Sequence, residues 1–187
     1  RLEEKEPRDL DAIVRPLRPG DRVELGGRRS VEVFDVTHRI ASRGFTVIEQ
    51  RKELLPGWRG RPGEEIGDAV RRGETVHSVV DHRRFTYIGD STIETLEHNP
   101  AVGDCDVLFL EATHLPGTEV ATARKYGHTH LDELRALHER APAALAARHV
   151  VIKHFSVKYR EDDVARALAS LPEELRARVT MLVPPSA

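Results

Sequence analysis

Three apolar segments of this sequence are followed directly by side chains that can bind a metal ion. These side chains are His38, Asp90 and His154, each at the end of a predicted β-strand. A further apolar run is followed by Glu111, and His128 begins the next helical stretch. Imidazole and carboxylate groups are the ligands of zinc hydrolases, and a carboxylate–histidine pair can deliver a proton. The sequence therefore predicts a metallohydrolase site.

The elements that would position these residues are strand-rich, with helices between the strands of the second half. Strands are predicted over 22–25, 31–36, 45–50, 74–80, 85–88, 106–110, 149–153 and 179–183, and helices over 64–71, 93–97, 129–140 and 161–169. A Gly-Gly pair between the first two strands is typical of a hairpin turn. The pattern predicts an α/β layered domain over 21–187, preceded by a linker or edge segment over 1–20.

Composition limits the class of protein. The 187 residues are 39% hydrophobic and 32% charged, with a net charge of −2, which argues against a uniformly basic nucleic-acid surface. Cys105 is the only cysteine, so no internal disulfide can form, and a reducing, cytoplasmic location is expected. No apolar run is long enough for a membrane span, so no membrane partner is expected. Ten histidines are many for this length and indicate metal chemistry.

Several candidate residues also have simpler interpretations. His38 taken alone is an ordinary polar residue at a strand end, and Asp90 or its neighbour Ser91 could cap the helix that follows. The segment His77–His82 contains a partial metal pattern that lacks its middle histidine, and we treat it as a coincidence. The loop over 51–75 combines arginines with Trp58, which suits either an ordinary solvated loop or a contact with RNA.

The segment Gly127–Glu133 has two interpretations. Its His128-Thr129-His130-Leu131-Asp132 spacing imitates the H-x-H-x-D zinc signature. However, it follows a tyrosine and a glycine rather than an apolar strand, and it begins an amphipathic helix that would bury its leucines. A proton-donor role for His128, beside Glu111, is therefore favoured over a displaced zinc motif. His130 is interpreted as a surface or helix N-terminal residue, and His114 as a residue of the cleft.

Five short segments in order give the chain a family resemblance. They are Val36–Phe45, Tyr87–Thr92, Glu111–Thr113, Gly127–Thr129 and His154–Tyr159. Together they resemble ribonuclease Z, the tRNA 3′-processing endonuclease of the metallo-β-lactamase superfamily. The resemblance implies a metallo-β-lactamase-like αββα sandwich, of which this chain would cover mainly the second half.

The resemblance also implies a role for each candidate residue. His38 would bind the first zinc, Asp90 would bridge two zinc ions, and His154 would bind the second. Glu111 would orient His128, which would protonate the leaving 3′ oxygen while a metal-activated hydroxide attacks the phosphate. Manganese or iron could replace zinc. The implied substrate is precursor tRNA, and the implied assembly is a homodimer.

One part of the family pattern is missing. The family places H-x-H-x-D-H upstream of the His38 position, and no histidine precedes His38 here. The chain is therefore expected to be the C-terminal portion of a longer enzyme and inactive alone. Two alternatives remain: a phosphodiesterase of the same fold that acts on small diesters, and an inactive fragment or binding module.

Overall fold

In the computed structural model, residues 15–183 are described, and they form one seven-stranded sheet. The strands lie side by side in the order of the chain, so each neighbour in sequence is also a neighbour in space. Their bounds are β1 Arg22–Gly26, β2 Arg29–Val36, β3 Ser42–Leu54, β4 His77–Tyr87, β5 Val107–Glu111, β6 His149–Lys153 and β7 Val179–Met181.

Strand direction brings the candidate residues to one edge of the sheet. Strands β4 to β7 are parallel to one another, while β3 is antiparallel to both β2 and β4. Strand β2 consequently runs in the same direction as β4. The carboxyl ends of β2, β4, β5 and β6 therefore share one edge, and these are the strand ends that precede or contain the candidate residues.

Four of the six helices in residues 15–183 pack against one face of the sheet. The helices are α1 Gly63–Arg71, α2 Glu94–His98, α3 Val120–Tyr126, α4 Leu131–Arg140, α5 Glu161–Ala169 and α6 Glu173–Arg176. Leucines of α2, α4 and α6 join the alternate residues Leu108, Leu110, Val150 and Ile152 of β5 and β6 in a single buried cluster. Apolar burial of this kind stabilises the fold by roughly 25 cal/mol per Å², and it holds β5 and β6 rigid beneath the site.

The opposite face of the sheet is apolar but half-exposed. Phe45, Tyr87, Phe109 and Val151 are successive register partners across β3 to β6, so they form one row on this face. Phe45 is 36% exposed and Tyr87 is 42% exposed, while the Tyr87 and Phe109 rings lie 6.2 Å apart. The described part of the chain is thus one sheet with one helical layer.

Two local predictions differ from the structure. The strands predicted over 74–80 and 85–88, with a turn between them, are wrong: β4 is continuous from His77 to Tyr87. Its polar residues have partners from other parts of the chain. Asp81 accepts from Arg22 of β1 at 2.6 Å, and His82 lies 2.9 Å from Asp106, the residue before β5. Strand β3 also extends four residues beyond its predicted end, from Gln50 to Leu54.

The beginning of the chain is described only in part. Residues 1–14 of the predicted linker lie outside the described residues. Beyond them, Gly20 and Asp21 hydrogen-bond to Val33, which joins this segment to the edge of the sheet. Among residues 15–183, no helix has the length and apolar character to cross a membrane.

Candidate metal centre and proton-donor pair

Asp90, His128 and His154 come together at the carboxyl edge of the sheet. Each can offer one donor atom, and the three atoms lie within 4.8 Å of one another. Two nitrogens and one carboxylate oxygen are a donor set that zinc accepts, and catalytic zinc sites commonly use three protein ligands with one open position. The residues therefore fit one such ion. Asp90 and His154 are about half-exposed, which leaves solvent access.

The backbone of His154 adopts an unusual conformation. Its φ is 63°, in the left-handed region that residues other than glycine rarely occupy. The strand ends one residue earlier, at Lys153, so this turn directs the chain out of the sheet at the site. Strained conformations of this kind persist where the surrounding structure requires them, and they are frequent at functional sites.

Glu111 is the centre of the hydrogen-bond network under this group. Its carboxylate is fully buried and accepts from the backbone amides of Ser91 at 3.1 Å, Thr113 at 2.7 Å and Thr129 at 3.0 Å. It also accepts from His128 Nδ1 at 3.0 Å. A buried carboxylate is tolerated only with such partners. Glu111 thereby joins the three loops that carry Asp90, His114 and His128.

The contact with Glu111 determines how His128 presents its ring. A carboxylate can only accept, so Nδ1 of His128 carries the proton of that hydrogen bond and Nε2 is left for another partner. The ring lies between His38 and His154, with centroid distances of 5.5 and 5.6 Å. His128 is thus placed for either role, proton donor or metal ligand, but not for both at once, because each role would use Nε2.

His38 lies beside the group but outside it. Its Nδ1 donates to the carbonyl oxygen of Gly127 at 2.7 Å, because a carbonyl can only accept. The Nε2 atom is therefore the one free to bind a metal. The structure places His38 next to His128 and does not include it among the three grouped donors; its assignment as a zinc ligand remains a prediction.

Replacing Gly127 by alanine should displace His38. Gly127 ends α3 with φ 80°, a conformation that alanine adopts only with strain. A Cβ atom there would lie 2.6 Å from His38 Nδ1 and 3.0 Å from Arg39 Cγ. We expect a loss of about 1–3 kcal/mol in the free energy of unfolding and a shifted His38 imidazole signal in NMR spectra. Gly57→Ala, at a position with open space around it, is the control; equal effects of the two changes would contradict this interpretation.

Two histidines of the 127–133 and 111–114 segments are buried next to the site. The sequence-based placement of His130 at a helix N-terminus is confirmed, since it caps α4, but it is fully buried and not a surface residue. His114 is also buried, 6.4 Å from the His128 ring, with no hydrogen-bond partner at Nδ1 among the described residues. Burial lowers the pKa of His114, and the positive charge of the nearby Lys158 lowers it further.

Thr113 is the site residue to which sequence reasoning assigned no role. Its hydroxyl oxygen lies 2.8 Å from Glu111 Oε2, 2.9 Å from His154 Nδ1 and 3.3 Å from His128 Nδ1. The only signal in the sequence is its position two residues after a carboxylate that ends a strand, where a hydroxyl can reach back to that carboxylate.

The fold has a counterpart among solved structures. The metallo-β-lactamase fold protein YhfI from Bacillus subtilis superposes with a TM-score of 0.53 at 12% identity, over 89% of this chain and 51% of that one. The chain thus has a mixed α/β, metallo-β-lactamase-like fold and corresponds to about half of such a structure.

Comparison of amino-acid sequences finds relatives of the chain that the comparison of folds does not name. No family model matches the chain. The chloroplastic tRNase Z TRZ2 of Arabidopsis thaliana is 26% identical over 177 residues, which are 93% of this chain and 49% of the relative. tRNase Z TRZ1 of the same plant is 28% identical over 155 residues, 81% of this chain and 54% of the relative. The chain is a distant homologue of the ribonuclease Z and metallo-β-lactamase family over most of its length, and it spans about half the length of these relatives.

Proposed function

We propose that this chain carries half of the active site of a zinc-dependent phosphodiesterase of the ribonuclease Z type. The observation that carries the proposal is the group formed by Asp90, His128 and His154 above the buried Glu111. In this group Asp90 and His154 offer metal-binding atoms, and Glu111 holds the ring of His128 beside them. Distant homology to ribonuclease Z supports the same chemistry.

His128 and Glu111 would handle the proton of the reaction. Glu111 holds the Nδ1 proton of His128, so a second proton can be carried on Nε2, which faces away from the carboxylate. Transfer of the Nε2 proton to the leaving oxygen would then complete cleavage of the phosphodiester.

Asp90, His154 and His38 would serve as metal ligands. Bound zinc would supply Lewis-acid polarisation of the phosphate and a water molecule of lowered pKa. With Nε2 of His128 kept for the proton, the grouped donors left for a metal ion are Asp90 and His154, fewer than the three protein ligands of an ordinary catalytic zinc site. A second ion needs further ligands, which the family resemblance assigns to an H-x-H-x-D-H segment that residues 1–187 lack.

The substrate depends on how the surface beyond the site is charged. The far ends of β3 and β4 and helix α1 form an extension over residues 49–77. Every arginine of this extension has a carboxylate partner; the pairs are Arg51–Glu49, Arg59–Glu53, Arg61–Glu65, Arg71–Asp68 and Arg72–Glu74. Balanced charge gives little long-range attraction for an RNA backbone. This favours, as the second candidate, a phosphodiesterase that acts on small diesters.

Two substrates offered in parallel would distinguish these functions. The zinc-loaded protein is incubated with a precursor tRNA that carries a 3′ trailer and, separately, with bis(p-nitrophenyl) phosphate. Cleavage at the trailer, lost in His128→Ala and kept in His149→Ala, is the result expected for ribonuclease activity. Hydrolysis of the nitrophenyl diester alone would favour the second candidate. Zinc binding without either activity is the result expected of an inactive fragment, which carries only half of the site, or of a binding module.

Assembly and location remain predictions from the sequence. By resemblance we propose a homodimer, and from the single cysteine we propose a cytoplasmic protein. Light scattering coupled to size-exclusion chromatography would measure the first, and a monomer at micromolar concentration would contradict it.

A further inference from the structure

We propose that Thr113 is a positioning residue that fixes the ring tautomer of His154 and so selects the nitrogen that binds metal. The proposal deepens the metal site described above and rests on it. Thr113 lies in the loop directly after β5, and its hydroxyl oxygen is within hydrogen-bond distance of Glu111 Oε2 and His154 Nδ1 at once. The number of protons on Glu111, Thr113 and His154 determines which group donates and which accepts in each hydrogen bond.

The hydroxyl proton of Thr113 belongs to the bond with Glu111. A threonine hydroxyl has one proton to donate and two lone pairs to accept with. Glu111 also accepts from His128 and from three backbone amides, the pattern of an ionised carboxylate with no proton to give. At 2.8 Å, its oxygen and the hydroxyl oxygen must share a proton, and only Thr113 can supply it.

The hydroxyl can then only accept from His154. Since the oxygens of Glu111 and Thr113 share the hydroxyl proton, the 2.9 Å contact requires a proton on His154 Nδ1. The opposite arrangement, with Thr113 donating to an unprotonated Nδ1, would leave the oxygens of Thr113 and Glu111 with opposing lone pairs 2.8 Å apart in a part-buried position. That arrangement loses a charge-assisted hydrogen bond, which is worth more than a neutral one.

Among residues 15–183, no other acceptor lies within hydrogen-bond distance of this proton. Asp90 Oδ1 lies 3.5 Å from His154 Nδ1, beyond the ordinary range for such a bond. Thr113 is therefore the partner that defines the tautomer. With Nδ1 protonated, the neutral ring of His154 offers Nε2 as its lone pair, which is the atom able to bind a metal.

The same geometry gives Thr113 a role in linking the two histidines. Glu111 fixes His128 directly through Oε1 and fixes His154 through the Thr113 hydroxyl at Oε2. The buried carboxylate of Glu111 thus sets the tautomer of both rings. The Thr113 hydroxyl connects this carboxylate to His154, the residue that follows β6. Removal of a residue that hydrogen-bonds to a metal ligand typically lowers metal affinity about 10- to 100-fold.

The test compares Thr113→Val with Thr113→Ser in the full 187-residue chain. Valine has nearly the same shape but no hydroxyl, while serine keeps the hydroxyl. Zinc affinity, measured by competition with a chromophoric chelator, should fall about 10- to 100-fold in Thr113→Val and stay close to the unmodified value in Thr113→Ser. Equal affinities for the unmodified chain and Thr113→Val would overturn the proposal.

A second readout does not require metal or activity. In metal-free protein labelled with ¹⁵N-histidine, long-range proton–nitrogen spectra report which ring nitrogen carries the proton. Nδ1-protonated His154 is expected in the unmodified chain and in Thr113→Ser, with loss of that preference in Thr113→Val and an unchanged tautomer at His128. An Nε2-protonated His154 in the unmodified chain would overturn the proposal even if Thr113→Val failed to fold. Absence of zinc binding in all three proteins would instead contradict the proposed function.

Discussion

His154→Ala is expected to remove most of the zinc affinity of the chain. Of the three donors within 4.8 Å, His128 is assigned to the proton, so this change leaves Asp90 as the remaining grouped ligand, fewer than the three protein ligands of an ordinary catalytic zinc site. The loss should exceed about 100-fold, beyond the range for residues that only support a ligand. Competition with a chelator gives the affinity, and elemental analysis after dialysis gives the zinc content of the intact protein.

His149→Ala is the matched control for this experiment. His149 begins the strand that His154 follows, but it lies at the opposite edge of the sheet, where its Nε2 is 3.0 Å from Thr180 Oγ1. Its removal should leave zinc content and affinity unchanged. If His154→Ala retained the same zinc as His149→Ala, the placement of the metal at Asp90 and His154 would be wrong.

The fold could be predicted from sequence where periodicity and strand ends are strong. The hairpin of β1 and β2, the apolar strands β5 and β6 and the amphipathic α4 follow from local pattern alone. The continuous β4 does not, because Asp81 and His82 resemble a turn until their partners are known. Arg22 is 59 residues from Asp81 in the chain, so that ion pair cannot be inferred from local sequence.

The sequence predicts where the candidate site lies, but it does not predict which of its residues hydrogen-bond to one another. Four of the five candidate residues, His38, Asp90, Glu111 and His154, lie at or just after strand ends that the topology brings to one edge. The contact of the fifth, His128, with Glu111 spans only 17 residues. The contacts of Thr113 with His154, 41 residues away, and of His38 with Gly127, 89 residues away, depend on how three loops pack. Such contacts join irregular segments, for which the sequence carries no periodic signal.

Glu111→Gln is expected to lower the free energy of unfolding and also to move the side chains of the site apart. The carboxylate presents two acceptor oxygens to five donor atoms: three backbone amides, the Thr113 hydroxyl and His128 Nδ1. Glutamine keeps the shape but replaces one oxygen with an amide group that itself donates, so at least two buried donors lose their partner. Each such loss costs about 1–3 kcal/mol, so two losses amount to about 2–6 kcal/mol of a total stability of order 5–15 kcal/mol. Urea unfolding followed by circular dichroism measures the change.

The exposed Glu139→Gln is the control that separates this effect from loss of a charge. Glu139 lies in α4 on the solvent side, so its change should alter stability by less than about 0.5 kcal/mol. Because Glu111 joins the loops of Asp90 and His128, its substitution should also lower zinc affinity, although it is not a ligand. A stable Glu111→Gln protein with full zinc affinity would show that the donor geometry depends on the strand ends alone. The carboxylate would then act only on the proton of His128, and its effect would appear in turnover and not in metal binding.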